Sequence, residues 1–184
     1  MPISKRKFGH LEVICGPMFS GKTEELIRRI TKVEFTKKKA IVFKPIIDTR
    51  YSNNHIQSHN GKKIKCINLH NMEECLEYVN DTDIFAFDEA QFYSNDIIDI
   101  CKKLLLKDKR VIVAGLDRDS NGMPFGQMPY ILAHADYITK LNAVCVKCGD
   151  IATFSYRISK DKEQIVLGEK EKYEARCIIC FHEK

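Results

Sequence analysis

The chain has 184 residues and a mass of 21.3 kDa, enough for one ordinary domain and a small appendage. Its 44% hydrophobic and 30% charged residues are typical of a soluble globular protein, and no apolar run approaches the roughly 18 residues needed to cross a membrane. The formal net charge of +5 is mild and does not require a nucleic-acid groove. We therefore expect a cytoplasmic protein with neither a membrane nor a nucleic acid as its partner.

Apolar segments of strand composition alternate with helical patterns along the first two thirds of the chain. Strands with continuous apolar runs, separated by helices, indicate an α/β fold with a parallel sheet covered on both sides. The alternation stops near residue 142, which predicts an α/β domain over 1–142 and a smaller unit over 143–184. The predicted strands are 10–15, 40–44, 64–69, 83–87 and 110–116, and the predicted helices are 22–33, 71–79 and 94–106, the last capped by Ser94.

The segment "GPMFSGKT" matches the phosphate-binding pattern G-x-x-x-x-G-K-[ST] and lies between a predicted strand and a predicted helix. In such a P-loop, backbone amides surround the phosphates of a nucleotide, the lysine reaches the β and γ phosphates, and the final hydroxyl binds Mg²⁺. The sequence therefore predicts a P-loop NTPase-type fold that binds ATP and Mg²⁺. The residues of this loop are Gly16, Pro17, Met18, Phe19, Ser20, Gly21, Lys22 and Thr23.

Two adjacent carboxylates, Asp88 and Glu89, follow the predicted strand 83–87. An Asp at the end of a buried strand completes the Mg²⁺ shell of a P-loop site, which is the role we expect for Asp88. Because successive side chains of a strand face opposite ways, Glu89 is expected to act elsewhere. It can accept a proton from whatever attacks the γ phosphate, which is water in an ATPase and a hydroxyl in a kinase. A purely structural Glu89 is the alternative.

Two C-x₂-C pairs lie near the C-terminus, Cys145 with Cys148 and Cys177 with Cys180. Four thiolates in a reducing compartment predict a structural Zn²⁺ site, with no position left for a reactive water. The 28 residues between the pairs form a loop held at both ends, in which 151–158 and 163–168 are predicted to pair as a hairpin. Such a flap can cover an acceptor and exclude water, which favours a kinase. The other four cysteines lie singly in apolar segments and are expected to be buried thiols.

Taken together, these segments resemble the type II thymidine kinase family, from about residue 10 to residue 181. The order and spacing of the motifs are specific to that family, although most of them are ordinary individually. The motifs that carry the resemblance are "GPMFSGKT", "DTRYS", "DEAQF", "GLDRDSNGMPFG", "AVCVKC" and "KYEARC".

The resemblance implies transfer of the γ-phosphoryl group of ATP to the 5′-hydroxyl of thymidine, with deoxyuridine a plausible second substrate. Glu89 then matches the general base, Lys22 a catalytic P-loop lysine, and Arg50 an arginine near the phosphates. The family also implies a homotetramer inhibited by dTTP, and a zinc-anchored loop called the lasso that holds the base. The matching substrate residues are Met18, Phe92, Leu116, Ser155, Ile165, Val166, Leu167, Gly168 and Tyr173.

One position departs from the family pattern, because Ser120 stands where an aromatic residue is usual. Two other functions are consistent with the motifs. The first is a nucleic-acid-dependent P-loop ATPase with a zinc ribbon, although the near balance of acidic and basic residues between the cysteine pairs argues against nucleic acid. The second is a non-catalytic nucleotide sensor.

Overall fold

The computed structural model describes residues 9–47, 55–57, 61, 63–159 and 172–183. The strands are β1 Leu11–Cys15, β2 Ala40–Pro45, β3 His55–Gln57, β4 Lys63–Lys65, β5 Ile67–Leu69, β6 Ile84–Phe87, β7 Arg110–Gly115, β8 Tyr137–Lys140, β9 Ala143–Val144, β10 Ile151–Ala152, β11 Phe154–Arg157 and β12 Tyr173–Arg176. The α-helices are α1 Lys22–Thr31, α2 Ile97–Leu106, α3 Met128–His134 and α4 Ile178–His182, and the 3₁₀ helices are Lys32–Phe35, Met72–Tyr78 and Ala90–Phe92.

A six-stranded sheet with the order β5-β2-β6-β7-β1-β8 forms the centre of the protein, and all its strands run parallel. The prediction of a parallel sheet between helices is therefore confirmed. Because parallel strands end at the same edge, the segments that follow β1, β6 and β7 lie side by side. These three segments contain the phosphate-loop motif, the paired carboxylates and the "GLDRD" motif.

Both faces of this sheet are buried. On one face, Ile14, Ile112 and Ala114 pack with Leu26 and Ile30 of α1. The opposite face carries a larger cluster that includes the strand residues Phe43, Phe85, Phe87 and Val113 together with residues of α2 and α3. This two-sided burial explains the continuous apolar runs of the central strands, since each side chain of the strand meets a helix layer.

Helix α1 combines an apolar stripe with charged pairs on its outer side. Leu26, Ile27 and Ile30 are its buried residues. Glu25 accepts hydrogen bonds from Arg28, three residues further on, and from Arg29, four residues further on. Apolar burial on one face and ion pairs on the other explain why this segment is a helix.

Several predicted elements differ from the structure in extent. Helix α2 begins at Ile97 after Asp96, so Ser94 is not its N-cap, and the Ser94 hydroxyl instead donates to Asp96. The single strand predicted over 64–69 is divided at Cys66, because β4 pairs antiparallel with β3 whereas β5 joins the main sheet. Strands β3 and β8 and helix α3 were not predicted. These are short or exposed elements, whose apolar pattern is too weak to be recognised in sequence.

The C-terminal elements form two small antiparallel pairs, β9 with β10 and β11 with β12. The hairpin predicted between 151–158 and 163–168 is thus not the pairing that the described residues show for β11. Residues 163–168 lie outside the described part of the chain. The division into 1–142 and 143–184 stays a prediction. No helix within the described ranges is sufficiently long and apolar to cross a membrane.

Candidate active site

The loop between β1 and α1 folds tightly onto its own backbone. The carbonyl oxygen of Pro17 accepts hydrogen bonds from Ser20 Oγ and from Lys22 Nζ, both at 2.8 Å. Gly16 has a φ of 147°, and a Cβ at this position would collide with the carbonyl oxygen of Leu141. The first turn of α1 follows directly and contributes backbone N–H groups that have no partner within the helix. This strand–loop–helix geometry is that of a phosphate-binding loop.

Thr23 and Asp88 meet across the sheet edge, where Thr23 Oγ1 donates to Asp88 Oδ2 at 3.4 Å. Asp88 is only 5% exposed, and its amide donates to the carbonyl oxygen of Phe43 at 2.9 Å. A hydroxyl and a carboxylate are oxygen ligands of the kind that Mg²⁺ prefers. The two side chains that the sequence predicted around Mg²⁺ are therefore adjacent, and their donor atoms fit this ion.

Glu89 lies beyond the last residue of β6. The alternation of side chains along a strand therefore does not explain why its carboxylate and that of Asp88 have different partners. Its backbone is left-handed, with φ 51° and ψ 44°, a conformation that costs a non-glycine residue about 1 kcal/mol or more. Its amide donates to Asp88 Oδ1 at 3.0 Å, while its own carboxylate contacts Gln91. The two carboxylates thus bind different partners, as predicted, but the left-handed turn produces the separation.

Gln91 belongs to this edge although the sequence analysis did not single it out. It is 4% exposed, its Nε2 donates to Glu89 Oε2 at 2.6 Å, and its Oε1 accepts from the Leu116 amide at 2.9 Å. The available signal was an amide side chain two residues after the candidate base in "DEAQF". A glutamine that close to a candidate base is expected to contact it.

The loop after β7 is organised by its acidic residues. Asp117 Oδ2 pairs with Lys140 Nζ at 2.8 Å, and Asp119 Oδ1 accepts hydrogen bonds from the backbone amides of two later residues of the loop. The guanidinium of Arg118 lies 4.7 Å from the centre of the Phe154 ring on β11. Ser120, the departure from the family pattern, is half-buried within this loop. The loop therefore connects the main sheet to the C-terminal pairs.

The four predicted zinc ligands converge. The Sγ atoms of Cys145, Cys148, Cys177 and Cys180 all lie within 4.8 Å of one another. In a tetrahedral site with Zn–S bonds of about 2.3 Å, the sulfur atoms are about 3.8 Å apart, so the set fits Zn²⁺. Burial raises the pKa of Cys145, but hydrogen bonds from backbone amides outweigh it and lower the pKa to about 6. The pKa of Cys180 in the same cluster is raised by burial and by the neighbouring thiols, so metal binding there would release a proton.

The remaining cysteines are buried thiols, as predicted. Burial raises the pKa of Cys75 and of Cys101 to about 12. Both stay protonated at neutral pH and are unsuited to metal binding or nucleophilic chemistry.

The loop between β1 and α1 contacts the cysteine cluster and β11 directly. Met18 N donates to Ser155 Oγ on β11 at 2.9 Å, and Phe19 packs against the apolar cluster formed by the cysteine ligands and two alanines. Phe19 itself has a left-handed φ of 64°. These contacts join β11 and the cysteine cluster to the loop between β1 and α1.

The described residues predicted to surround the nucleoside fall into two contact groups. Phe92 lies in the turn after Glu89, where its ring meets Phe125 edge-on at 5.7 Å, and Leu116 is tied to the same turn through Gln91. Met18 is tied to Ser155 as described above. Tyr173 on β12 is 8% exposed. The predicted residues Arg50 and 165–168 lie outside the described residues.

The sheet topology, the phosphate loop and the Thr23–Asp88 pair define an α/β protein of the P-loop nucleotide-binding type. A family model described as Thymidine kinase matches residues 9–181. Relatives named Thymidine kinase from Bacteroides thetaiotaomicron and Bacteroides fragilis are each 46% identical to this chain over 176 residues, covering 96% of it and 88% of the relative. The chain belongs to the thymidine kinase family.

Among solved structures, a DNA replication initiation factor aligns with a TM-score of 0.42 and 14% identity, over 72% of this chain and 40% of that one. A similarity of this size carries no argument about fold or function.

Proposed function

We infer that this protein is an ATP-dependent deoxynucleoside kinase that phosphorylates thymidine. The observation that carries this inference is the meeting of the phosphate loop, the Thr23–Asp88 pair and a second carboxylate, Glu89, at one sheet edge of a chain in the thymidine kinase family. A nucleic-acid-dependent ATPase is not favoured, because the chain is similar over most of its length to proteins named Thymidine kinase.

We propose that the residues of the site divide the reaction among them. Lys22 would leave the Pro17 carbonyl to bind the β and γ phosphates, and Thr23 and Asp88 would hold Mg²⁺. When bound, Mg²⁺ neutralises charge on the phosphates. Glu89 would take the proton from the thymidine 5′-hydroxyl as its oxygen bonds to the γ phosphorus. The bond from that phosphorus to the bridging oxygen then breaks, and ADP leaves.

The nucleoside site is a proposal supported by the resemblance and by the contacts already described. Met18, Phe92, Leu116 and Tyr173 would surround the base, and Ser155 and residues 165–168 would belong to the segment that closes over it. Arg50 would offset charge on the phosphates in the transition state. The bond from Met18 to Ser155 supports this assignment, because it joins the phosphate loop to the proposed base site.

The finer properties of the protein are likewise proposals. We propose a structural Zn²⁺ on the four cysteines, a C-terminal unit over 143–184, a homotetramer, feedback inhibition by dTTP and a cytoplasmic location. Deoxyuridine is proposed as a second substrate. The geometry of the thiols supports the zinc, and the family resemblance supports the others.

The function is tested by incubating the protein with Mg²⁺ and ATP in the presence of each nucleoside in turn, and separating the products by chromatography. We expect thymidine to yield dTMP and ADP in equal amounts. ADP release that requires DNA and gives no nucleoside monophosphate would instead support the ATPase. Binding of ATP without any turnover would support the nucleotide sensor.

A further inference from the structure

We propose that Gln91 is a positioning residue that holds the Glu89 carboxylate in place for proton transfer. The proposal rests on the proposed function, in which Glu89 is the general base. Gln91 bonds to Glu89 on one side and to the backbone at Leu116 on the other. It therefore ties the base to the loop that follows β7, where the nucleoside would lie.

The hydrogen bonds of Gln91 settle the orientation of its amide. The Leu116 N–H can only donate, so the atom facing it at 2.9 Å is the oxygen, Oε1. The NH₂ group is then directed to Glu89 Oε2, which it meets at 2.6 Å. A short, charge-assisted hydrogen bond of this kind fixes the orientation of the carboxylate that accepts it.

The surroundings of Gln91 restrict its movement. It lies in the 3₁₀ helix Ala90–Phe92 and is 4% exposed. A Cβ on Gly115 would come within 2.9 Å of Gln91 Oε1, so the strand end leaves room for this side chain only because residue 115 is a glycine. Glu89 is half-buried and has a left-handed backbone conformation. Because the Gln91 side chain is restricted, it gives the Glu89 carboxylate a hydrogen-bond partner in a fixed position.

Two substitutions separate the bonds that Gln91 makes. Gln91→Glu keeps an oxygen that accepts from Leu116 but places a second carboxylate oxygen against Glu89. Two carboxylates repel each other at this distance, which displaces the base from its position. Gln91→Met keeps the length of the side chain and removes both hydrogen bonds.

We expect both variants to lower kcat about 10- to 100-fold while the KM values for thymidine and ATP stay within about twofold, because the base is displaced and the binding groups are not.

A double-mutant cycle tests whether Gln91 acts through Glu89. In a Glu89→Gln background, Gln91→Met should lower the remaining kcat less than twofold, since there is no longer a base to position. The control is Gln127→Met. Gln127 lies at the start of α3 and donates an exposed hydrogen bond to Asn95, and loss of this bond should leave kcat unchanged.

The proposal is overturned if Gln91→Glu, with the unfolding temperature of the wild type, keeps the kcat of the wild type. It is also overturned if Gln91→Met lowers kcat equally with and without Glu89, or if the loss appears in KM alone. If Gln91→Met does not fold, Gln91→Glu carries the test, because it retains the bond to Leu116. Failure of the proposed function would be seen separately, as wild-type protein that forms no dTMP.

Discussion

The sheet-edge site and the proposed zinc unit, residues 143–184, are stabilised in different ways. The segments of the site follow strands whose side chains are buried on both faces of a six-stranded sheet. The buried cluster of the C-terminal unit consists of Cys145, Ala152, Ala175, Cys177 and Cys180, so three of its five members are proposed metal ligands.

The two regions should therefore respond to different treatments. Burying an alanine methyl contributes about 1 kcal/mol or less, whereas Zn²⁺ binding to a structural site contributes about 10–16 kcal/mol of apparent free energy. We therefore expect the zinc unit to depend on metal and the sheet to be independent of it. The contacts of the phosphate loop with Ser155 and with the cysteine cluster join the regions.

The largest effect is expected from Cys177→Ser. It removes a buried ligand, so zinc content measured by elemental analysis should fall from about one atom per chain to nearly none, and kinase activity should be lost. Limited proteolysis should cut within 143–183 and leave the sheet domain intact. The control is Cys101→Ala, a buried thiol outside the cluster, which should keep its zinc. Full activity of a zinc-free Cys177→Ser protein would contradict a structural role of the metal.

Glu12→Gln should affect the sheet and spare the zinc unit. Glu12 is 8% exposed and accepts hydrogen bonds from Arg110 at 2.6 and 3.0 Å and from Arg29 at 2.7 Å. Removing its charge leaves two guanidinium groups without their shared partner, which should lower the free energy of unfolding by about 3 kcal/mol. Chemical denaturation measures this, and zinc content should not change. A loss below about 0.5 kcal/mol would mean that the network contributes little.

Ser155→Ala tests the hydrogen bond from Met18 to Ser155 that connects the two regions. The substitution leaves the Met18 amide without its buried acceptor, at a cost of about 1–3 kcal/mol. We expect KM values a few-fold higher with zinc content unchanged, and Ser155→Thr, which keeps a hydroxyl, should lie close to the wild type. Steady-state kinetics of both variants provide the comparison. Equal KM values in all three proteins would show that the bond is not used.

The smallest effect is expected from acid. Burial raises the pKa of Glu12, but hydrogen bonds and charge from Arg110, with further bonds from His10 and Arg29, bring it below the ordinary 4.5. Hydrogen bonds from Arg28 and Arg29 lower the pKa of Glu25 to about 2. The unfolded chain therefore binds more protons than the folded one in acid.

This stabilisation is complete above about pH 5 and is lost as the pH falls through the folded-state pKa values. Unfolding curves from pH 6 to pH 3 should show falling stability. The slope should be shallower in Glu12→Gln, with the part due to Glu25 remaining. A slope identical to that of the wild type would remove Glu12 from this account.

The strongly patterned parts of the fold were predictable from sequence. Continuous apolar runs identified the central strands, and the spacing of the phosphate loop and the cysteine pairs identified two sites before their geometry was known. Helix α3 and strand β8 were missed because some of their apolar residues are exposed, so their apolar positions do not follow the periodicity of one buried face. Examples are Tyr130, Tyr137 and Ile138. Antiparallel pairing of β11 with β12 depends on contacts across a long insertion, which local periodicity does not report.

The residues proposed for the site were named from the sequence and stay predictions, whereas the contacts between them were not predicted. Asp88 and Glu89 were correctly expected to meet different partners, yet the reason given, strand alternation, was wrong because β6 ends at Phe87. Gln91 was missed for a related reason. Its contacts are recognised only in the folded turn, where its side-chain amide nitrogen bonds to Glu89 and its amide oxygen to Leu116. These two residues are 27 residues apart in sequence.

The central claim is that two neighbouring carboxylates do different work, Asp88 holding Mg²⁺ and Glu89 accepting the proton. The most direct measurement compares Asp88→Asn with Glu89→Gln, recording MgATP affinity and kcat for thymidine phosphorylation. The account predicts that Glu89→Gln binds MgATP as the wild type does but loses about 10²- to 10⁴-fold in kcat, whereas Asp88→Asn binds it more weakly and needs more Mg²⁺. Near-normal turnover by Glu89→Gln would contradict it.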